Sequence, residues 1–159
     1  MDVPVYTQIN GYYCGPATVK EVLQYYNGTS SSQKTYAKEL GTTKDGTDMT
    51  KIPDVLNNHE NKNNYLYNQF DSWSDWDRYV KFDMENNYPT VIDINSSKCK
   101  FWRYKTTGHY MCISGYDDSG STTYAYVADP HNRYSGTYEY NADYVYEVNN
   151  DHWRHAVIW

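Results

Sequence analysis

The chain has 159 residues, a usual size for one domain, and we expect residues 1–159 to form a single domain. Its 20 Tyr and 5 Trp exclude a disordered chain, because disordered segments are poor in aromatic residues. The formal net charge of −6 argues against a nucleic-acid partner, which requires clustered Lys and Arg. No apolar stretch reaches the roughly 18 residues of a membrane span, and the N-terminus lacks the basic and apolar regions of a signal peptide.

Helical patterns dominate the first half of the chain. A helix is predicted over residues 14–27, since Pro16 suits a first helical turn and Gly28 suits a C-terminal stop. Before it, residues 2–8 are predicted to be extended. Three further helices are predicted, over residues 32–40, 49–58 and 72–86.

Strand patterns dominate the second half. One short strand is predicted earlier, over residues 65–70, and β-rich runs follow at residues 89–95, 109–116, 122–129, 134–140 and 155–159. A short helix is expected over residues 142–148. Helices followed by an antiparallel sheet indicate an α+β fold, with the N-terminal helical part packed on the sheet.

The start of the first helix carries a reactive residue type. Cys14 is followed by Gly15, Pro16 and Ala17, and Gln8 stands six residues earlier. The positive end of a helix dipole stabilises a thiolate, and the same geometry directs backbone N–H groups toward a carbonyl under attack. The Gln8 amide is a second candidate donor to the resulting oxyanion.

A histidine and an aspartate occupy matching places in two predicted strands. His109, preceded by Gly108, opens one strand, and Asp129, followed by Pro130, closes the next. In a hairpin the start of one strand lies beside the end of its neighbour, so we expect His109 and Asp129 to be partners. The aspartate would then orient the imidazole and stabilise its cationic form.

Each of these residues also has a plainly structural interpretation. Cys14 alone fits a buried structural cysteine, His109 alone fits an ordinary core or surface histidine, and an Asp-Pro pair often only ends a strand. Their agreement in order, spacing and predicted context favours catalysis over chance. His131 is a second candidate base and Asn132 a weak alternative orienting residue, both in the loop after the strand.

These motifs resemble those of the C39-like peptidases of the papain-like clan. The residues that carry the resemblance are Gln8, Cys14-Gly15-Pro16-Ala17, Gly108-His109 and Ala128-Asp129-Pro130. The resemblance covers nearly the whole chain and implies a papain-like fold and thiol-dependent hydrolysis of an amide bond. Better-known C39 domains are fused to ATP-driven exporters and cut leader peptides after a Gly-Gly pair. No transporter portion is expected within residues 1–159, so the resemblance supports the chemistry more than the substrate.

Residues and resemblance together predict a cysteine peptidase that acts on a peptide or isopeptide bond. Cys14 is the predicted nucleophile, His109 the base, Asp129 the orienting acid and Gln8 an oxyanion donor. Acyl transfer of the transglutaminase type and cell-wall amidase activity use the same residues and remain open. A non-catalytic adaptor of the same fold is a further alternative.

Four residues are predicted to contact the substrate: Gly15 and Gly108 because they leave space, and Trp102 and Tyr104 because they lie in the loop before His109. No cofactor and no metal are expected. Residues 44–48 only weakly resemble a calcium loop and are interpreted as a turn before a helix cap.

The remaining cysteines, Cys99 and Cys112, could pair, although two buried free thiols are the favoured interpretation. Richness in Tyr, Asn, Ser and Thr with modest Lys suggests, by analogy, an extracellular or cell-surface bacterial protein. The chain could also be part of a larger secreted protein. The expected partner is a peptide or protein substrate.

Overall fold

The computed structural model describes residues 1–159 as helices packed on both faces of one antiparallel sheet. The helices are α1 (Cys14–Asn27), α2 (Gln33–Glu39), α3 (Ile52–His59), α4 (Trp73–Glu85) and α5 (Ala142–Asn150), with a 3-10 turn at Met49–Lys51. The strands are β1 (Tyr67–Gln69), β2 (Thr90–Ile94), β3 (His109–Asp117), β4 (Tyr124–Asp129), β5 (Gly136–Asn141) and β6 (Ala156–Ile158). Their order is β1-β6-β2-β3-β4-β5. None of the helices combines the length and the apolar character needed to cross a bilayer.

The predicted α+β class is confirmed, and the elements depart from their predicted bounds where local chemistry intervenes. The third helix is divided into the 3-10 turn and α3, with Pro53 in the first turn of α3, where its missing N–H is tolerated. Strand β5 begins at Gly136 rather than at Tyr134, because the Tyr134 N–H donates to the His131 carbonyl and closes a turn.

The sheet separates two hydrophobic cores. Helices α1, α2 and α3 cover one face, where Tyr110 and Cys112 of β3 are buried, and α4 and α5 cover the other, where Met111 and Ile113 are buried. This alternation along β3 follows from the two-residue repeat of a strand. The N-terminal helical part therefore packs on the sheet as predicted.

The loop between α2 and the 3-10 turn is packed against the start of α1. A Cβ atom placed on Gly15 would lie 2.5 Å from Thr47 Oγ1 and 2.8 Å from Thr47 Cβ. Thr47 is itself held, since its hydroxyl hydrogen-bonds with that of Thr42 at 2.8 Å and its carbonyl accepts from Tyr110 Oη at 2.8 Å. The first turn of α1 is thus wedged between this loop and the sheet.

We expect Gly15→Ala to lower the free energy of unfolding by about 1 to 3 kcal/mol, the usual cost of forcing extra volume into a packed site. Gly11→Ala is the matched control, because a Cβ there meets nothing within 4 Å. Urea unfolding curves of the two variants give the comparison. Equal stability of the two variants would contradict the tight packing of Gly15 on Thr47.

Candidate active site

Cys14 is the first residue of α1 and is only partly buried. No side chain caps this helix start, its first turn contains no acidic residue, and Pro16 has no N–H to offer. The N–H groups of Cys14 and Gly15 donate to no acceptor within the protein. The positive end of the helix dipole and two free backbone donors therefore lie at the sulfur.

His109 and Asp129 form a buried pair where β3 begins and β4 ends. His109 opens β3 and Asp129 closes β4, and the two strands are antiparallel neighbours. The His109 Nε2 atom lies 2.8 Å from Asp129 Oδ1, and the two residues are only 4% and 1% exposed. The structure therefore places the two residues in contact, as the hairpin argument from the sequence predicts.

The His109 ring is electrostatically biased toward its charged form. Burial lowers its pKa, but the hydrogen bond to Asp129 and the nearby Cys14 thiol outweigh burial and raise the pKa to about 10. Because Nε2 is engaged by Asp129, Nδ1 is the ring nitrogen left for the thiol. The arrangement is suited to holding an imidazolium beside a sulfur anion.

Tyr104 supports Asp129 instead of contacting a substrate. Its Oη atom donates to Asp129 Oδ2 at 2.7 Å, while the N–H of His131 donates to Oδ1 at 2.8 Å. Together with His109, these donors use both carboxylate oxygens. The Tyr104 ring is buried edge-on against His109 and stacked on Tyr134. The prediction that Tyr104 contacts substrate is therefore not what the structure shows, because its hydroxyl is already used by Asp129.

Trp102 is also buried away from the space beside Cys14. Its ring stacks on Tyr140, with centroids 4.2 Å apart and planes 9° from parallel, and belongs to the core under α4 and α5. The loop before His109 turns Trp102 and Tyr104 inward and leaves Phe101 exposed, so Trp102 does not line the cavity at Cys14. The sequence alone does not show that the Trp102 side chain points into the core.

The two predicted glycine contacts have different outcomes. Gly108 does line the cavity that opens at Cys14. Gly15 is buried, and the side chain that excludes a Cβ there is Thr47 and not a substrate. The space reserved at Gly15 is therefore filled by the protein itself.

His131 and Asn132 do not take the alternative roles considered for them. The His131 Nδ1 atom accepts the N–H of Arg133 at 3.1 Å, and the ring packs on Tyr104. Burial and the neighbouring His109 lower the pKa of His131. Asn132 is exposed, and the position beside His109 Nε2 is held by Asp129.

Gln8 lies next to the His–Asp pair. Its N–H donates to the carbonyl of Pro130 at 2.7 Å, which attaches the N-terminal segment directly after Asp129. The buried side chain donates one Nε2 hydrogen to the Asn10 carbonyl at 2.6 Å, and its Oε1 has no partner. One amide hydrogen remains for another acceptor.

A cavity of about 320 Å³ opens at Cys14 and carries residues that the sequence did not single out. Its wall includes Asp93, His152 and Arg154. Asp93 Oδ1 accepts the N–H of His109 at 3.1 Å, and Oδ2 lies 3.4 Å from His152 Nε2 and 3.6 Å from Arg154 Nε. Burial raises the pKa of Asp93 and lowers that of His152. Asp93 thus anchors the backbone of His109, a role with no motif in the sequence.

All three cysteines are free, and Cys99 and Cys112 are buried. Burial raises the pKa of the Cys112 thiol well above its ordinary value. The favoured interpretation of the sequence, two buried free thiols, agrees with this arrangement. No group of three or more His, Cys, Asp or Glu side chains is placed to hold a metal ion.

A cysteine at a helix start and a His–Asp pair on an adjoining sheet define the class of papain-like cysteine peptidases. The sequence matches the model of the Peptidase_C39 like family over residues 1–157, and the chain belongs to that family. The resemblance drawn from its motifs is thereby confirmed, as is its assignment as a cysteine peptidase. A search of the curated proteins found no match.

Two solved structures share the fold at low sequence identity. One is a double glycine motif protease from an AMS/PCAT transporter in complex with the leader peptide, with a TM-score of 0.66, 16% identity, and coverage of 99% of this chain and 89% of that chain. The other is the peptidase domain of Streptococcus ComA, a bifunctional ABC transporter involved in quorum sensing, with a TM-score of 0.65, 17% identity, and coverage of 99% and 96%.

We expect Tyr104→Phe to lower the free energy of unfolding by about 1.5 to 3 kcal/mol, because it removes a buried hydrogen bond to a carboxylate. Tyr134→Phe is the matched control, since the Tyr134 hydroxyl makes no hydrogen bond and its ring stacking is kept. Urea denaturation of both variants tests this. Equal losses would mean that ring packing, and not the bond to Asp129, is the contribution of Tyr104.

We expect the contribution of His109 to stability to depend on pH. Its folded-state pKa, about 10, lies above the usual value near 6.5, so the charged ring stabilises the folded state fully below pH 6.5. This contribution is lost as the pH rises from about 6.5 to about 10. The measurement is the difference in unfolding free energy between the wild type and His109→Gln at several pH values. A difference that grows with pH across this window would reverse the sign of the assigned shift.

Proposed function

We propose that this cysteine peptidase cleaves a peptide or isopeptide bond with Cys14 as nucleophile, His109 as base and Asp129 as orienting acid. The observation that carries the proposal is the buried bond between His109 Nε2 and Asp129 Oδ1, which leaves Nδ1 for the thiol at the start of α1. Asp129 accepts three hydrogen bonds and so has a fixed orientation.

The chemistry follows from these positions. His109 takes the Cys14 proton, and the thiolate attacks the carbonyl carbon of the substrate to form a C–S bond. The resulting oxyanion is stabilised by the Cys14 N–H and the free amide hydrogen of Gln8. Collapse breaks the C–N bond as His109 protonates the leaving amine. Water, deprotonated by His109, then attacks the thioester, releasing the carboxylic acid and regenerating the thiolate.

The cavity at Cys14 is the proposed substrate site. It contains Thr47, Gly108 and Tyr110 together with several charged side chains, so it offers hydrogen-bonding groups to a peptide backbone. A structural neighbour of the same fold was solved with a leader peptide, which supports a peptide substrate here. An extracellular or cell-surface location in a bacterium remains part of the proposal.

The first test is thiol labelling of the native protein with iodoacetamide, followed by mass spectrometry. We expect modification of Cys14 alone, since Cys99 and Cys112 are 1% and 0% exposed. Cys14→Ser is the matched control and should remain unmodified. Faster labelling of Cys112 than of Cys14 would contradict the assignment of the nucleophile.

The second test is cleavage of a peptide library by the wild type and three variants. We expect Cys14→Ala to abolish cleavage, Gln8→Ala to lower kcat by about 10²–10³, and Asp129→Ala to cost less than the loss of Cys14. Adding an amine such as glycine methyl ester separates hydrolysis from acyl transfer. Products that carry the amine in place of a free carboxylate would identify a transferase, and an inactive wild type would indicate an adaptor.

A further inference from the structure

Gln33, the first residue of α2, holds the backbone on both sides of Gln8. Its Nε2 donates to the Thr7 carbonyl at 2.9 Å, and its Oε1 accepts the N–H of Ile9 at 3.1 Å. Gln33 is only 7% exposed, so these bonds are shielded from water. The side-chain amide of Gln33 therefore pairs with both the carbonyl before Gln8 and the N–H after it.

The opposite edge of the same segment is attached to the sheet. In an extended chain, successive residues direct their backbone N–H and C=O groups to opposite sides. The N–H of Gln8 therefore points to one side, and the carbonyl of Thr7 and the N–H of Ile9 point to the other. The Gln8 N–H donates to the Pro130 carbonyl, while Gln33 occupies the other edge. The side chain of Gln33 therefore takes the place of a neighbouring strand, and Gln8 is held between α2 and the end of β4.

Other contacts hold the segment at residues before Gln8. Residues 1–8 form no helix or strand, and a Gln side chain has three rotatable bonds. The buried Glu21 of α1 accepts the Tyr6 N–H at 2.8 Å, and the Thr7 and Ser135 hydroxyls hydrogen-bond at 2.7 Å, but neither contact holds the backbone at Gln8 itself. A displacement of about 1 Å in a catalytic group can cost about 100-fold in rate, so the backbone at Gln8 needs the restraint from Gln33.

We infer that Gln33 is a positioning residue that holds the Gln8 amide in reach of the oxyanion. The inference rests on the proposed function, in which Gln8 is the side-chain oxyanion donor. Gln33 does not touch the substrate and acts only through Gln8. Its loss must therefore affect steps that form an oxyanion and spare steps that do not.

Two probes separate these steps. p-Nitrophenyl acetate acylates the nucleophile through an oxyanion, whereas iodoacetamide alkylates it at a saturated carbon. We expect Gln33→Ala to slow acylation of Cys14 by p-nitrophenyl acetate about 10-fold or more, after subtraction of the rate of Cys14→Ser. The rate of alkylation should stay within about twofold of the wild type, because that reaction needs no oxyanion donor.

A double-mutant cycle tests the route through Gln8. In a Gln8→Ala background, we expect Gln33→Ala to slow acylation by less than about twofold, because the group that it positions is already gone. Equal losses in both backgrounds would overturn the inference, as would wild-type acylation by Gln33→Ala. A parallel loss of alkylation and acylation would also overturn it, since that indicates general damage.

Two further variants guard against misfolding. Gln33→Met keeps the length and most of the volume of the side chain but loses both the donor to Thr7 and the acceptor for Ile9. We expect it to fold and to slow acylation about as much as Gln33→Ala, because the two hydrogen bonds are lost while the space stays filled. Gln24→Ala is the matched control, since this amide also bridges two groups, Gly28 and Ser30, but in the turn after α1. It should leave acylation unchanged.

The outcome also separates the inference from the function on which it rests. A wild type that is neither acylated nor alkylated at Cys14 would overturn both. A wild type that reacts with both probes, together with a Gln8→Ala variant that acylates normally, would remove Gln8 as donor and the inference with it. An active wild type with a slow Gln8→Ala variant and a normal Gln33→Ala variant would remove only the inference.

Discussion

The pairing of β3 with β4 is the constraint on which the site depends. Antiparallel pairing brings the start of β3 to the end of β4, where the side chains of His109 and Asp129 meet. Because both strands lie in the middle of the sheet with cores on both faces, neither end can shift without disturbing β2 or β5. The His109–Asp129 pair is therefore held in place by the sheet and not by a loop.

Cys14, the proposed nucleophile, comes from the helical layer, so the proposed site forms where helix and sheet meet. The start of α1 carries unpaired backbone donors, and the packing of Gly15 on Thr47 fixes how closely this helix start approaches the loop before the 3-10 turn. A buried carboxylate such as Asp129 is costly unless its oxygens are satisfied, and Tyr104, His109 and the His131 N–H satisfy them. The position of α1 and the hydrogen bonding of the Asp129 carboxylate therefore depend on different parts of the chain.

The sequence predicted the parts of this arrangement that depend on local patterns. The bounds of α1 followed from Pro16 and Gly28, and the juxtaposition of His109 with Asp129 followed from strand order. The features that the sequence did not predict depend on which way a side chain points, and on contacts between segments far apart in the chain. Trp102 and Tyr104 were placed in the cleft because their loop precedes His109, yet both turn into the protein. The contacts of Asp93 with His109, and of Gln33 with the N-terminal segment, join residues 16 to 26 positions apart and leave no periodic signal.

The tripeptide from Asp129 to His131 contacts both halves of the proposed catalytic centre. Its carboxylate orients the base, its first following carbonyl holds the N–H of Gln8, and its next N–H returns to the carboxylate. The proposed acid and the proposed oxyanion donor are therefore both held by one short segment. Any movement of this tripeptide would shift both together, whereas a change at Gln33 would act on the Gln8 side alone.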